Sequence, residues 1–339
     1  MKAVRFHEHG GPEVLRYEET PDPVCHAGEV IVRVRACALN HLDLWNRRGV
    51  VRLPLPHISG ADVAGEVVES SDKSFPAGRR VMAQPGLSCG RCEVCLEGRD
   101  NECPRYDVLG SQSDGGYADL VRVPVQNIVP IPDAIGFVEA AAFPLTFVTA
   151  WHMLVTRAKI RPGEDVLVLG AGSGVGQAAI QIAWLHGARV FATAGNDEKL
   201  ARARELGAYE VVNHHTQDVA AEIRRCTSNR GVDVVIEHVG EATWERSLKC
   251  LARGGRLVTC GATTGYKAGI DLRFLFAKQH TLMGSYMGTK AELLRAAQFF
   301  FAGQLRPVVD RTFPLQEARA AQTYLEDRKQ FGKVVLTDT

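Results

Sequence analysis

Long apolar runs are missing from this 339-residue chain, and no stretch approaches the ~18 consecutive apolar residues of a membrane span. The opening MKAVRFHEHGG has no apolar core of the kind a secretory signal needs, so a cytoplasmic protein is the expectation. Net charge is missing too. With 40 basic and 39 acidic residues the formal balance is +1, which gives no electrostatic reason to expect nucleic acid or an anionic membrane as partner. A disulfide framework is also unexpected. The nine cysteines are an odd number, and five of them, Cys25, Cys37, Cys226, Cys250 and Cys260, are scattered in the manner of reduced thiols. No internal repeat or low-complexity tract is visible.

The other four cysteines stand together as C-x2-C-x2-C-x7-C at Cys89, Cys92, Cys95 and Cys103. Glycine and charged residues surround them (Gly90, Arg91, Glu93, Glu97, Gly98, Arg99, Asp100), a composition that cannot form an apolar core. Four closely spaced thiolates suit one tetrahedral zinc with no position open for substrate, hence a structural metal. An iron–sulfur cluster is the competing reading, because clusters also take closely spaced cysteines.

Texture divides the chain. Over the first ~130 residues short apolar runs alternate with turn residues, the signature of a mainly antiparallel β domain. From about Leu145 apolar runs such as DVLVLG, ARVFATA, VDVVIEHVG and GRLVTCG alternate with amphipathic stretches. That pattern predicts a doubly wound α/β domain with a parallel sheet covered on both faces. The tail, with Pro307, Pro314 and GKVVLTDT, returns to β texture and is expected to rejoin the first domain.

DVLVLG runs into a glycine-rich turn and then a helical stretch, which places Gly172, Ser173, Gly174, Val175 and Gly176 against a dinucleotide pyrophosphate. The end of the next strand selects the cofactor. NAD sites usually place a carboxylate there to hold the ribose 2′-hydroxyl, whereas this chain has Thr193, Ala194 and Gly195. Asn196 and Lys199 are candidate donors to a 2′-phosphate, so NADPH is preferred over NADH. Asp197 and Glu198 in the same turn oppose that choice, and Lys199 reads equally as a solvated helix residue.

The segments GGPEVL, ALNHLDLWNRRG, LPLPHISGADVAGEVV, GGYADLVRVP, PLTFVTAW and FGKVVL, with the four cysteines and the glycine-rich turn, resemble the medium-chain dehydrogenase/reductase superfamily over nearly the whole chain. That superfamily includes zinc alcohol dehydrogenases and quinone oxidoreductases. The resemblance implies a GroES-like catalytic domain over 1–128 with its zinc lobe at 86–105. A Rossmann domain over 129–290 and a return segment over 291–339 would complete the chain, with one structural zinc per subunit and a homodimer or homotetramer. Phe143, Leu145, Phe147 and Trp151 would line a substrate cleft, which suits a small hydrophobic carbonyl or quinone. Tyr286 and Met287 read as interface or core.

The departure concerns a second zinc. Where the alcohol dehydrogenases hold a catalytic zinc, the matching positions here are Asn40, Ala61 and Leu145, and Leu42 replaces the relay hydroxyl. A catalytic zinc needs three protein donors and an open position; Cys37, His41, His57, Asp62 and His152 are the nearby residues from which an altered site could be assembled. Reduction of a double bond conjugated to a carbonyl asks for less, because hydrogen-bond donors can stabilise the enolate. The Asn-x-x-Asp pattern of Asn40 and Asp43 looks like that of zinc-free quinone oxidoreductases. Asn40 or His41 is therefore expected to polarise the carbonyl, with Asp43 orienting its neighbours. The plain readings are a helix cap for Asn40, a helix surface for His41 and local backbone hydrogen bonds for Asp62. The alternatives are an alcohol dehydrogenase with rearranged zinc ligands and a non-enzymatic NADPH-binding protein.

Overall fold

The computed structural model describes residues 1–338. In the first stretch, glycine and proline turns break the chain into short strands. β1 (Lys2–Arg5) and β2 (Arg16–Glu19) form an antiparallel ribbon. They are followed by β3 (Glu29–Ala38), α1 (His41–Arg47), β4 (Asp62–Ser70) and β5 (Arg80–Ala83). The cysteine lobe is an excursion between β6 (Gly86–Leu87) and β7 (Asp107–Val108), which pair with each other and enclose the short helix α2 (Glu93–Leu96). Then come β8 (Leu120–Pro124), β9 (Ile128–Pro130), α3 (Phe137–Ala142) and α4 (Pro144–Trp151).

Contacts divide the chain into two units, one made of Met1–Thr146 with the segment from Thr289 onward, the other of Phe147–Gly288. The first boundary lies at Thr146 rather than at 128. The reason is α3, whose buried Ala140, Ala141 and Ala142 allow it to lie close against β3 and β4 of the first unit.

In the second unit, strands and helices alternate: β10 (Asp165–Val168), α5 (Gly174–Leu185), β11 (Arg189–Ala194), α6 (Asp197–Glu205), β12 (Glu210–Asn213), α7 (Val219–Cys226), β13 (Val232–Glu237), α8 (Glu241–Cys250), β14 (Leu251–Thr259), α9 (Leu272–Lys278) and β15 (Thr281–Gly284). All neighbouring strands run parallel, in the order β12-β11-β10-β13-β14-β15. Helices cover both faces, so Val166, Leu167 and Val168 are wholly buried. Strand order reverses between β10 and β13, and ligands of such sheets bind outside the carboxyl ends at that reversal.

The chain returns to the first unit as α10 (Lys290–Phe301), β16 (Val309–Pro314), α11 (Ala318–Glu326) and β17 (Lys333–Thr337). There the sheet order is β16-β17-β3-β4-β5-β9, with β8 also on β3. The tail therefore rejoins the first unit as the two strands at one end of its sheet, with β17 against β3. β17 pairs antiparallel with β3 in the register Val335↔Ala38, and β3 pairs with β4 in the register Ala38↔Asp62. Two residues further along, those registers bring Lys333 and Asn40 to the same corner as Asp62.

Candidate functional site

The four lobe cysteines place their sulfur atoms within 4.8 Å of one another. Cys92 Sγ lies 3.4 Å from Cys95 Sγ and 3.8 Å from Cys103 Sγ, and Cys89 Sγ lies 3.9 Å from Cys95 Sγ. Four sulfurs about 2.3 Å from one ion stand about 3.8 Å apart at the corners of a tetrahedron. The spacing therefore fits a single ion, whereas a multi-iron cluster would hold its cysteines further apart across the metal atoms. Binding needs thiolates. The Arg91 backbone N–H and the Arg105 side chain hold the Cys89 thiol down at about 5, and Cys103 Sγ accepts the Arg105 backbone N–H. The lobe is tied to the body by Asp100, whose carboxylate accepts the Lys290 N–H at the start of α10, with 3.2 Å to each oxygen.

Asn40, Asp62 and Lys333 form a sealed polar cluster. Lys333 Nζ donates to Asn40 Oδ1 at 2.6 Å and to Asp62 Oδ2 at 2.9 Å, and Asn40 Nδ2 donates to Asp62 Oδ2 at 2.9 Å. The second Asp62 oxygen accepts the Leu145 N–H at 2.8 Å, one of the orphan donors in the first turn of α4. Lys333 and Asp62 are 2% and 0% exposed, so the pair is screened from solvent. Asn40 also directs Nδ2 to the Ala38 carbonyl at 3.4 Å. Its amide donors thus point into the protein wall rather than toward a substrate.

Asp43 lies deeper. Its carboxylate accepts the Asn40 N–H at 2.8 Å, the Gly60 N–H at 3.1 Å and the Tyr117 hydroxyl at 3.1 Å, tying the start of α1 to the loop before β4. Burial, partly offset by those donors, pushes the Asp43 carboxyl up to about 6. A folded value above the ordinary 3.8 means that its stabilising contribution is fully present below the ordinary value and is lost as pH rises through about 6. The span corresponds to on the order of 3 kcal/mol. Asp43→Asn is expected to remove this pH dependence. The gap in urea stability between wild type and variant should then narrow between about pH 4.5 and 7.5, and a constant gap would refute the assignment. His41, the first residue of α1, is half-buried beside Asn40.

Other expected neighbours are placed elsewhere. His57 Nε2 donates to the Gly110 carbonyl at 2.9 Å and the ring meets Phe6 edge-on, so His57 serves the core. Burial pushes the Cys37 thiol well above its usual range. Among the described residues, the lobe cysteines are the one group of three or more His, Cys, Asp or Glu side chains spaced for a metal ion. The donors present do not fit a catalytic zinc at Asn40, Ala61 and Leu145. Phe143, Phe147 and Trp151 are buried, Phe143 stacked at 4.5 Å on Phe300, which leaves only Leu145 of that apolar set partly exposed. Met287 is buried while Tyr286 is exposed.

In the second unit the glycine-rich turn joins β10 to α5. Ser173 caps the helix by accepting the Gly176 N–H at 2.8 Å. Gly176 admits no side chain, since a Cβ there would stand 2.2 Å from the Gly170 carbonyl oxygen. This leaves the free amides of the first turn, at Gly174 and Val175, open to a phosphate. His238, at the end of β13, donates Nε2–H to the Leu169 carbonyl at 2.8 Å and lies 3.3 Å from Ser173 Oγ, so it braces the turn from the far side of the reversal point. At the end of β11, Thr193 Oγ1 accepts the Gly170 N–H at 3.2 Å, and Asn196 caps α6 by accepting the Lys199 N–H at 2.9 Å. Sequence reading missed His238, Lys333 and the His214–His215 doublet beside Gly195. Only FGKVVL, quoted as a motif, carried a signal for one of them.

Residues 26–133 match the alcohol dehydrogenase GroES-like domain and residues 174–302 match the zinc-binding dehydrogenase domain. The chain is 32% identical over 350 residues to a quinone oxidoreductase of Mus musculus, covering 99% of this chain and 97% of that protein. It superposes with a TM-score of 0.97 on the crystal structure of an NAD-dependent alcohol dehydrogenase, at 48% identity and full coverage of both chains. A crotonyl-CoA carboxylase/reductase superposes with a TM-score of 0.90 at 27% identity, covering 99% of this chain and 88% of the other.

Proposed function

Since the chain belongs to the medium-chain dehydrogenase/reductase superfamily and is one of its oxidoreductases, we infer that it reduces quinones or other activated double bonds with NADPH. The observation that carries this reading is Lys333. Where the resemblance would put a catalytic zinc, a side-chain ammonium already neutralises Asp62 and fixes Asn40. NADPH, when bound, supplies the hydride. His41 is the proposed donor to the substrate oxygen, because it is partly exposed at the start of α1 while the Asn40 amide is committed to Asp62 and Ala38. Asn40 and Asp43 are positioning residues that hold the α1 N-terminus. Hydride addition at the β-carbon leaves an enolate, whose charge a hydrogen-bond donor stabilises, and a proton completes the saturated ketone. Similarity to a quinone oxidoreductase and a crotonyl-CoA reductase supports the substrate class.

Cys89, Cys92, Cys95 and Cys103 would hold one structural zinc per chain, in keeping with the zinc-binding dehydrogenase match. For oligomerisation, β15 is an edge strand, and Leu272, Phe274 and Phe276 of the preceding helix α9 and Tyr286 just after the strand are exposed, a surface suited to a second copy of the chain. No helix among the described residues is long and apolar enough to cross a membrane.

A second reading, an NAD-dependent alcohol dehydrogenase, is favoured by the 48% identical structure. One experiment separates the two: zinc per chain measured on the preparation used for NADPH and NADH oxidation with paired enone and aldehyde substrates. One zinc with enone turnover supports the reductase. Two zinc ions with turnover confined to the aldehyde would sink it. Cofactor binding has its own check. Gly176→Ala forces the new methyl against a backbone oxygen, and fluorescence titration with NADPH is expected to show binding weakened about 100-fold or more, a loss of about 3 kcal/mol. Unchanged affinity would move the pyrophosphate elsewhere.

A further inference from the structure

At the opposite end of α1 from His41, a cavity of about 280 Å³ opens in the first unit between three segments far apart in sequence: the loop from His9 to Pro12, the end of α1 at Arg47 and Arg48, and Glu326 at the end of α11. Its wall is built around a buried cation. The Arg47 side chain has no exposed surface; Nη1 donates to Gln322 Oε1 at 2.8 Å and Nη2 to Glu326 Oε1, but Nε has no acceptor among the described residues. A buried donor on a charged group is costly to leave unmade. Arg48 Nη2 donates to the same Glu326 Oε1 at 2.9 Å, so one carboxylate serves two guanidinium groups and one positive charge stays uncompensated. The surrounding groups do not cancel it. Glu13 accepts the Gly11 N–H at 2.9 Å, and against that carboxylate stands Arg319 of α11, which spends Nη2 on the Glu13 and Leu15 carbonyls. His9 directs Nδ1 to the Asn46 carbonyl at 3.1 Å and the Gly10 N–H donates to the Arg47 carbonyl at 3.0 Å, so two of the carbonyls that end α1 are already capped.

We propose that this cavity binds a small organic anion, a di- or tricarboxylate or a phosphate monoester, held between Arg47 and Arg48. The class follows from what the cavity has in surplus, which is positive charge and N–H donors. Carboxylate and phosphate oxygens bring negative charge and paired acceptors that the planar guanidinium fork matches. A cation or an apolar ligand brings neither. Ligand cavities run from about 300 Å³ upward, so this space suits an anion of metabolite size. The site goes beyond the reaction proposed above and does not depend on it. An occupant would join the His9 loop, α1 and α11, and binding to the folded chain alone raises the melting temperature by mass action.

The test is calorimetric and thermal-shift titration of the intact protein with citrate and with glycerol 3-phosphate, at an ionic strength held constant with sodium chloride. One saturable site per chain is expected for at least one of the two probes, with the melting temperature rising alongside; a response to citrate alone or to the phosphate ester alone identifies the head group. Arg48→Gln, on a side chain 53% exposed and therefore tolerant of change, should weaken binding about tenfold or more. Glu326→Gln should act in the opposite direction and tighten it, because both guanidinium groups lose a competing carboxylate. Lack of saturable binding by both probes overturns the site. So does binding that Arg48→Gln leaves undiminished, as for an anion lodged at the glycine-rich turn, or binding that Glu326→Gln fails to tighten.

Discussion

Lys333→Met is expected to cost about 3–5 kcal/mol, because it strands the carboxylate of Asp62 in a site from which water is excluded. Asp62 would keep the Asn40 amide and the Leu145 N–H but lose its only cationic partner among the hydrogen bonds it makes. The damage should spread to α1, since Asn40 is positioned by the same ammonium. A denaturant midpoint shift reads the loss directly. The diagnostic companion is Lys333→Met combined with Asp62→Asn, which removes both charges and keeps the donor geometry nearly isosteric. Buried pairs replaced as a unit are often tolerated while half-pairs are not. The double variant should therefore recover much of the stability lost by the single one. Equal instability of the two would mean that the Lys333 stem, not its charge, matters. If the double variant folds, its turnover of an enone tests whether the cluster serves the chemistry through Asn40.

Metal removal should have the second large effect. Structural zinc in small peptides contributes about 10–16 kcal/mol of apparent folding free energy; part of that is expected here, because the lobe is also tethered through Asp100 and the β6–β7 pair. Cys103→Ser, or extraction by a strong chelator, should release one zinc per chain. Amide protection should then collapse over residues 86–105, with the Lys290 N–H losing protection as well because its acceptor lies in the lobe. Protection retained throughout the lobe after metal loss would show that the four thiols need no ion to stay together. Release of two zinc ions would contradict the reaction proposed above.

Much of this was visible along the chain. The lobe was legible because its ligands are local: four sulfurs inside one short loop have few ways to arrange themselves except around a common point. The glycine-rich turn was legible for the same reason, strand, turn and helix being contiguous. The domain boundary was not, because the apolar run PLTFVTAW reads as one helix while contacts divide α4 between two units. Phe143 and its neighbours were expected along a cleft, yet apolar periodicity does not say whether a side chain faces a ligand or another ring, and Phe143 stacks on Phe300.

Local order in the sequence thus determined the fold class, the four-cysteine lobe and the glycine-rich turn, since each arises from residues a few positions apart whose backbone and spacing permit one arrangement. Tertiary structure alone decided the electrostatics of the site. Lys333 reaches Asn40 and Asp62 across 293 and 271 positions, and His214 and His215 reach Gly195 only through the pairing of two strands. Charge acts through space, and strand registers rather than chain neighbours set which charges meet.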